Sequence, residues 1–472
     1  MFGAFHRPGR PGRTLRGWGR SPVDTRQVEV LPEVNVPVPA VRAEDEVVEL
    51  CRDLIRIDTS NYGDSTGPGE RVAAEYAAER LADVGLTSTV LESAPGRTSL
   101  VARIEGTDPT RPALLVHGHL DVVPARASDW SVDPFAGEVR DGCVWGRGAV
   151  DMKDMDAMVL AVVRERLRTG RRPARDVVLA FLADEEAGGN YGAHWLVDRH
   201  PELFEGCTEA IGEVGGFSYS VDEHRRLYLV ETAQKGMAWL KLTVAGQAGH
   251  GSMVNEDNAV TELCEAVARL GRYRFPVRIT PTVRRFLAEL SEVLGVELDS
   301  GDVETTVAKL GPIARIIGAT IRNTANPTML QAGYKHNVIP GEAAAYIDGR
   351  FLPGYEEEFL AELDQVLGPR VRREFVHRDI ALETSFDGDL VDAMGAALRA
   401  EDPGARMVPY CLSGGTDAKS FDELGIRCFG FAPLRLPPDL DFAGMFHGVD
   451  ERVPVDGLRF GTRVLDRFLD LC

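Results

Sequence analysis

A short apolar run, Ala113–Val116, leads directly into His117-Gly118-His119-Leu120-Asp121. A second, Val177–Leu182, ends in Asp184-Glu185-Glu186. Imidazole and carboxylate are the ligands zinc takes when a position is left open for chemistry. Three more candidates lie elsewhere in the chain. Asp151 follows Gly146-Arg147-Gly148-Ala149-Val150, Glu213 closes a short apolar run before Gly215-Gly216, and His447 stands close to the C-terminus. Together these donors are enough to hold two zinc ions. The two oxygens of Asp151 could bridge cations about 3.5–4 Å apart. Asp121 could accept the second ring N–H of His119 and fix its orientation. Of the adjacent pair Glu185 and Glu186, one can bind metal while the other faces the attacking water. Taken singly, each residue has a plainer reading: a loop hydrogen bond for His119 and Asp121, a helix cap for Asp151, a solvated turn for the glutamates, a structural histidine for His447. Their shared placement at the ends of apolar runs, beside glycines, favours the metal reading.

Strands must place these residues, because ligands of an open parallel sheet sit at the carboxyl ends of its strands. Helical periodicity over Glu44–Ile57, Glu70–Val84, Met152–Leu167 and Gly192–Leu203 alternates with strands at Ser99–Ile104, Ala113–Val116 and Val177–Leu182. That alternation predicts an α/β fold with a mostly parallel sheet covered on both faces. From Lys235-Gly236 the texture changes. Met237–Val244 alternates as a strand, Asn258–Arg272 reads as a helix, and 278–330 reads as mainly helical. Gly341–Phe351 and Val371–Val376 read as strands around a helix at Glu356–Leu367. The expected organisation is a catalytic domain over 43–235 and 379–472, interrupted by an inserted domain over 236–378. Residues 1–42 are expected to be a disordered basic tail, since the first twenty positions carry Arg7, Arg10, Arg13, Arg16 and Arg20 with almost no apolar side chains.

Composition narrows the options. A chain of 472 residues exceeds one ordinary core. The 53 basic and 73 acidic side chains leave a net charge of −20, which argues against nucleic-acid partners. The sequence has no run of about 18 apolar residues, so no membrane-spanning helix is expected. The seven cysteines are scattered, without Cys-x-x-Cys spacing, and point to a reducing, cytoplasmic compartment.

The segments His117–Asp121, Trp130–Phe135, Gly146–Lys153, Asp184–Glu186, Gly249–Ser252, Asn337–Pro340 and Gly414–Asp417, in that order, resemble the zinc-dependent aminoacylase/carboxypeptidase family of metallopeptidases. That family includes acetylornithine deacetylase, succinyl-diaminopimelate desuccinylase and glutamate carboxypeptidase; the motifs here are closest to carboxypeptidase S-like members. The resemblance spans about residues 44–472. It implies an exopeptidase-like catalytic domain with an inserted α+β, ferredoxin-like lid and dimerisation domain. It implies His119, Asp151 and Glu213 on one zinc and Asp151, Glu186 and His447 on the other, with Co²⁺ or Mn²⁺ able to substitute. Asp121 would orient His119, and Glu185 would be the general base. His250 would stabilise the oxyanion, reaching a partner subunit's site in dimeric relatives. Asn337 and Arg350, on what reads as one hairpin, would face the substrate. Arg350 would clamp a free carboxylate, and Gly414, Gly415 and Thr416 would offer it backbone N–H groups. Two departures touch no proposed ligand: Gly-His-Gly-Ser at 249–252, and Asp154 where many members have glycine.

These features predict a hydrolase that uses a zinc-bridged hydroxide to cut an amide beside a free carboxylate, in small peptides or N-acyl amino acids. The alternatives are a dedicated biosynthetic desuccinylase or deacetylase, or a metal-binding scaffold without turnover. A scaffold would have no need of Glu185.

Overall fold

The two largest sheets among the described residues organise the fold, and the larger one presents the donors. The computed structural model describes residues 41–63, 66–295 and 317–472; the proposed tail, up to residue 40, lies outside them. In chain order the elements that matter are α1 (Ala43–Arg56), α2 (Arg71–Ala82), β1 (Ser88–Ala94), β2 (Arg97–Ile104), β3 (Ala113–His119), α3 (Lys153–Arg168), β4 (Val177–Leu182), α4 (Ala193–Arg199), β5 (Cys207–Gly212) and β6 (Arg226–Gln234). The next stretch of chain, which supplies the smaller sheet, contains β7 (Gly236–Ala245), α5 (Ala259–Arg272), α6 (Pro281–Leu294), β8 (Thr324–Ala332), β9 (Glu342–Phe351), α7 (Glu356–Leu367) and β10 (Arg372–Asp379). The chain then returns through α8 (Asp389–Glu401), β11 (Ala405–Leu412), α9 (Ala418–Asp422), β12 (Arg427–Gly430) and α10 (Val455–Leu471).

The large sheet runs β1-β2-β4-β3-β5-β12-β6, with β11 also paired to β6. Strands β4, β3, β5 and β12 are mutually parallel. β3 and β4 are buried along their whole length, as expected of strands covered on both faces. Helices α1, α3 and α10 bury apolar stripes on one face, in the same core as α2 and α8. Gly118 lets α3 approach β3, because a Cβ there would collide with the Asp156 carboxylate and the Met152 side chain.

The smaller sheet has the order β8-β9-β7-β10 and is antiparallel throughout. With α5 and α7 on one face it follows a β-α-β-β-α-β course. The α/β expectation with a ferredoxin-like insert therefore holds.

Three details differ from the sequence reading. Residues 324–330 form a strand, β8, where helix was expected; Pro327 sits at a register irregularity beside β9. The expected helix 192–203 ends at Arg199, because Pro201 starts a separate 3-10 turn. Helix α6 falls within the proposed insert, yet Val283, Phe286, Leu290 and Val293 pack into the large core, joined by Ile317 and Ile321. Arg406 of β11 pairs with Glu289 and Glu292 on α6, and Thr282 N donates to Glu383. The chain thus returns to the catalytic body partway through the insert.

Phe286→Ala should lower the stability of the large core by about 3–5 kcal/mol, the usual cost of emptying a buried phenylalanine site. Urea unfolding would show it, and a change below about 1 kcal/mol would mean that α6 is peripheral.

Candidate active site

The donors come from adjacent strands. His119 ends β3, Glu185 and Glu186 follow β4 on one side of it, and Glu213 follows β5 on the other. Asp151 precedes α3, which packs beneath β3, and its peptide bond to Met152 is cis. His447 arrives from the loop before α10. His119 Nε2 lies 3.1 Å from Asp151 Oδ1 and 3.4 Å from Glu213 Oε2. His447 Nε2 lies 3.3 Å from Asp151 Oδ2 and 3.0 Å from Glu186 Oε2. Each oxygen of Asp151 therefore faces a different imidazole, as a bridge between two cations requires. Glu185 Oε2 is 4.0 Å from His119 Nε2 and lies within the same cluster. Asp184, Val214 and His447 have positive φ, and left-handed backbone beside the donors is strain of the kind that collects at functional sites.

The electrostatics are those of a site built for cations. Burial raises the Glu185 carboxyl well above its usual range, and the charge of Glu213 adds to it. Burial and the charge of Asp151 push Glu186 up to about 7. Glu213 is raised by burial. Hydrogen bonds to Asp151 and Glu186 raise His447 to about 10. Burial alone would disfavour charge on Asp151, but its hydrogen bonds to His119 and His447 hold it below the carboxylate range. These carboxylates repel one another, and the ion pairs they form among the described residues are to histidine alone. A pair of divalent cations fits this donor set and would relieve the repulsion.

Opposite the donors lies a cleft of about 280 Å³, closed by the open face of the smaller sheet. Glu185, Glu186 and His447 line one side, Arg350 and Trp239 the other, with Gly414, Gly415 and Thr416 along an edge. Asp348 holds Arg350 through Nε (2.7 Å) and Nη2 (3.3 Å), so the outer Nη1 edge faces away from that pair.

Asn337 lies away from the cleft of its own chain. The hairpin is β8–β9, with Asn337 in its connection and Arg350 at the far end of β9. Glu342–Arg350 alone spans about 27 Å at ~3.4 Å per residue. Within one chain, the two cannot face one substrate. The Asn337 backbone carbonyl accepts a hydrogen bond from Gly251 N (3.0 Å), next to the pairing of His250 with Val338. His250 is exposed and lies outside the cleft; Ser252 Oγ and N donate to its Nδ1 at 2.8 and 3.2 Å, which leaves Nε2 as the N–H. Thr416 departs from the expected anion nest: its N–H donates to Gln234 Oε1 (3.0 Å) and is not free for an anion.

The chain matches the model of "Peptidase family M20/M25/M40" over residues 115–471. It belongs to the M20 peptidase family. Pig (Sus scrofa) aminoacylase-1 is 28% identical over 417 residues, covering 87% of this chain and 91% of that protein. An M20 metallo-carboxypeptidase from Sulfolobus solfataricus superposes with a TM-score of 0.66 at 19% identity, covering 90% of this chain and 99% of that one. A Bacillus subtilis dinuclear metal-binding M20 peptidase gives a TM-score of 0.58 at 13% identity, covering 90% and 97%. This M20 member is a metal-dependent hydrolase of amide bonds. No helix among the described residues is long and apolar enough to cross a membrane.

Further residues of this M20 site escaped the sequence reading. Asp121 orients His119 through its backbone carbonyl, 2.9 Å from Nδ1; its carboxylate stands 3.6 Å away. That carboxylate instead accepts the N–H groups of Glu185 (3.0 Å) and Glu186 (3.1 Å) and the Asn61 amide (2.8 Å). Asn61 is held in turn by Arg97, which pairs with Glu70. On the other flank, the Glu451 carboxylate accepts the N–H groups of Gly148, Val150 and Asp151 and the Arg147 guanidinium. Arg147 also donates to Gly448 O, next to His447. Arg147 lies inside a segment already singled out and Glu451 four residues past His447; Asn61 and Arg97 carry no motif, and only the fold brings them here.

Binding of zinc here would release the protons held by His447 and Glu186, and releasing a proton costs less at higher pH. Zinc added to chelator-treated protein should therefore raise Tm more at pH 8 than at pH 6, and less in Asp151→Asn. Equal shifts at both pH values would count against this donor set.

Proposed function

We propose that this M20 hydrolase carries two zinc ions, His119 and Glu213 on one, Glu186 and His447 on the other, with Asp151 between. Its proposed substrates are N-acyl amino acids or short peptides with a free carboxylate. The observation that carries the reading is the position of Arg350, across a small cleft from Glu185. When bound, the cations would supply the Lewis acidity that activates a water and polarises the scissile carbonyl. Arg350 clamps the carboxylate and holds the amide over the donors. The N–H groups of Gly414 and Gly415 assist it. Glu185, raised by burial, accepts a proton from the attacking water and passes it to the leaving amine. Kinship with aminoacylase-1 favours this over a biosynthetic desuccinylase.

The placement of His250 and Asn337 supports a homodimer. Both sit beside exposed Met253, Val254 and Tyr334, at the end of the insert that carries the β8 edge strand with exposed Met329 and Leu330. In the proposed dimer each pair reaches the cleft of the second copy, where His250 Nε2–H supports the developing oxyanion. A cytoplasmic location is part of the proposal, since every cysteine is free.

Glu185→Gln should retain two zinc ions per chain, by metal analysis, while losing at least about 10³-fold in kcat on N-acyl amino acids and dipeptides. Metal loss in this variant would make Glu185 a ligand rather than a base. Arg350→Ala should raise KM at least about tenfold for substrates with a free carboxylate and leave their amidated analogues unaffected. An equal loss on both would place the clamp elsewhere.

A further inference from the structure

Strand β7 sorts its side chains by face. Ala238, Leu240, Leu242 and Val244 are fully buried with α5 and α7, so Met237, Trp239 and Lys241 fall on the opposite face. That face closes the cleft. The register divides it into rows two residues apart, about 7 Å. In the first row, Met237 lies between Arg350 on β9 and Asp379 on β10. In the second, Trp239 lies between Asp348 and His377. The indole packs on the imidazole at 5.5 Å between ring centroids, tilted by 51°. Trp239 is nonetheless 42% exposed, and its exposed surface opens into the cleft. Glu185, Glu186, Asp417, Ser420 and His447 make the opposing lining strongly polar. A large aromatic left uncovered in such a setting is informative, because apolar surface facing a polar cleft gains most from an apolar occupant. Burial lowers the pKa of His377, which favours the neutral imidazole behind the indole.

We propose that Trp239, backed by His377, selects substrates with a large apolar or aromatic group close to the scissile amide. The inference rests on the amide-hydrolase reading above and adds the substrate class. With the carboxylate on Arg350, one row further along the sheet is within reach of the substrate's own side chain, or of an acyl group across the amide. Both sources present the same planar, uncharged surface to the indole, and stacking adds to simple burial.

The test uses the full-length, zinc-loaded enzyme and kcat/KM for N-acetylglycine, N-acetylphenylalanine, N-benzoylglycine, glycylglycine and glycylphenylalanine. The wild type should prefer the aromatic member over its glycine counterpart. Trp239→Ala should cut that preference at least about tenfold, within the range over which apolar contacts discriminate substrates. Trp239→Phe, which keeps a ring, should change it by less than about threefold. Loss of preference for the phenylalanine substrates assigns the wall to the side chain next to the carboxylate; loss for N-benzoylglycine assigns it to the acyl group. An unchanged preference in Trp239→Ala overturns the inference. A wild type that cleaves none of the five overturns the catalytic reading beneath it.

Discussion

Negative charge packed where water is scarce is the constraint on which this molecule turns. Asp151, Glu185, Glu186 and Glu213 crowd around His119 and His447 with no lysine or arginine paired to them among the described residues. Such a cluster is costly to keep ionised, and the upward displacement of Glu185, Glu186 and Glu213 expresses that cost. Arginine is present nearby, but one step removed. Arg97 and Arg147 each pair with a different glutamate; Arg97 reaches the donors through Asn61 and Asp184, and Arg147 through the backbone of the 146–151 loop and Gly448 O. The scaffold holds the cluster rigid without neutralising it, which is the arrangement a pair of cations needs.

The parallel sheet makes that rigidity possible. Neighbouring strands lie about 4.8 Å apart, so residues just past the carboxyl ends of β4, β3 and β5 start within ligand distance of one another. Turns do the rest. Asp121 holds the Glu185-Glu186 turn by its two N–H groups, and Glu451 holds the loop carrying Asp151 while its own segment carries His447. The smaller sheet contributes the other wall. Its connections to the catalytic body meet at Lys235 and Asp379, both contacted by Lys419 of α9. The Lys235 ammonium donates to Ala319 O and Arg322 O on the returning chain. Helix α6 makes a further attachment, so the insert is tied to the body at more than its two ends.

Where sequence reading worked, a local signal existed. Apolar runs ending in His119 and in Glu185-Glu186 marked buried parallel strands, and both strands are there. Alternation at Met237–Val244 and periodicity at Asn258–Arg272 and Glu356–Leu367 fixed the type of each element. Where it failed, the deciding contact was distant. Thr324–Ala332 has a polar, mostly exposed pattern and a proline, so nothing local distinguished an edge strand from other structure. The apolar stripe of α6 reads the same whichever core it enters. Asn337 and Arg350 were read onto one hairpin, but a strand about 27 Å long separates them, and that length leaves only Arg350 at the cleft of its own chain. Thr416 looked free beside two glycines until Gln234, from another strand, took its N–H.

The amino-acid sequence by itself determined the chemistry: which donors are present, that they follow strands, and that an α/β body is interrupted by a second sheet. Those properties depend on residue type and on spacings of a few positions. Only the tertiary structure decided which oxygen of Asp151 faces which imidazole, that Asp121 orients His119 by its carbonyl, and that Trp239 looks into the cleft. These depend on strand order, register and helix approach, which are fixed by packing between segments hundreds of residues apart.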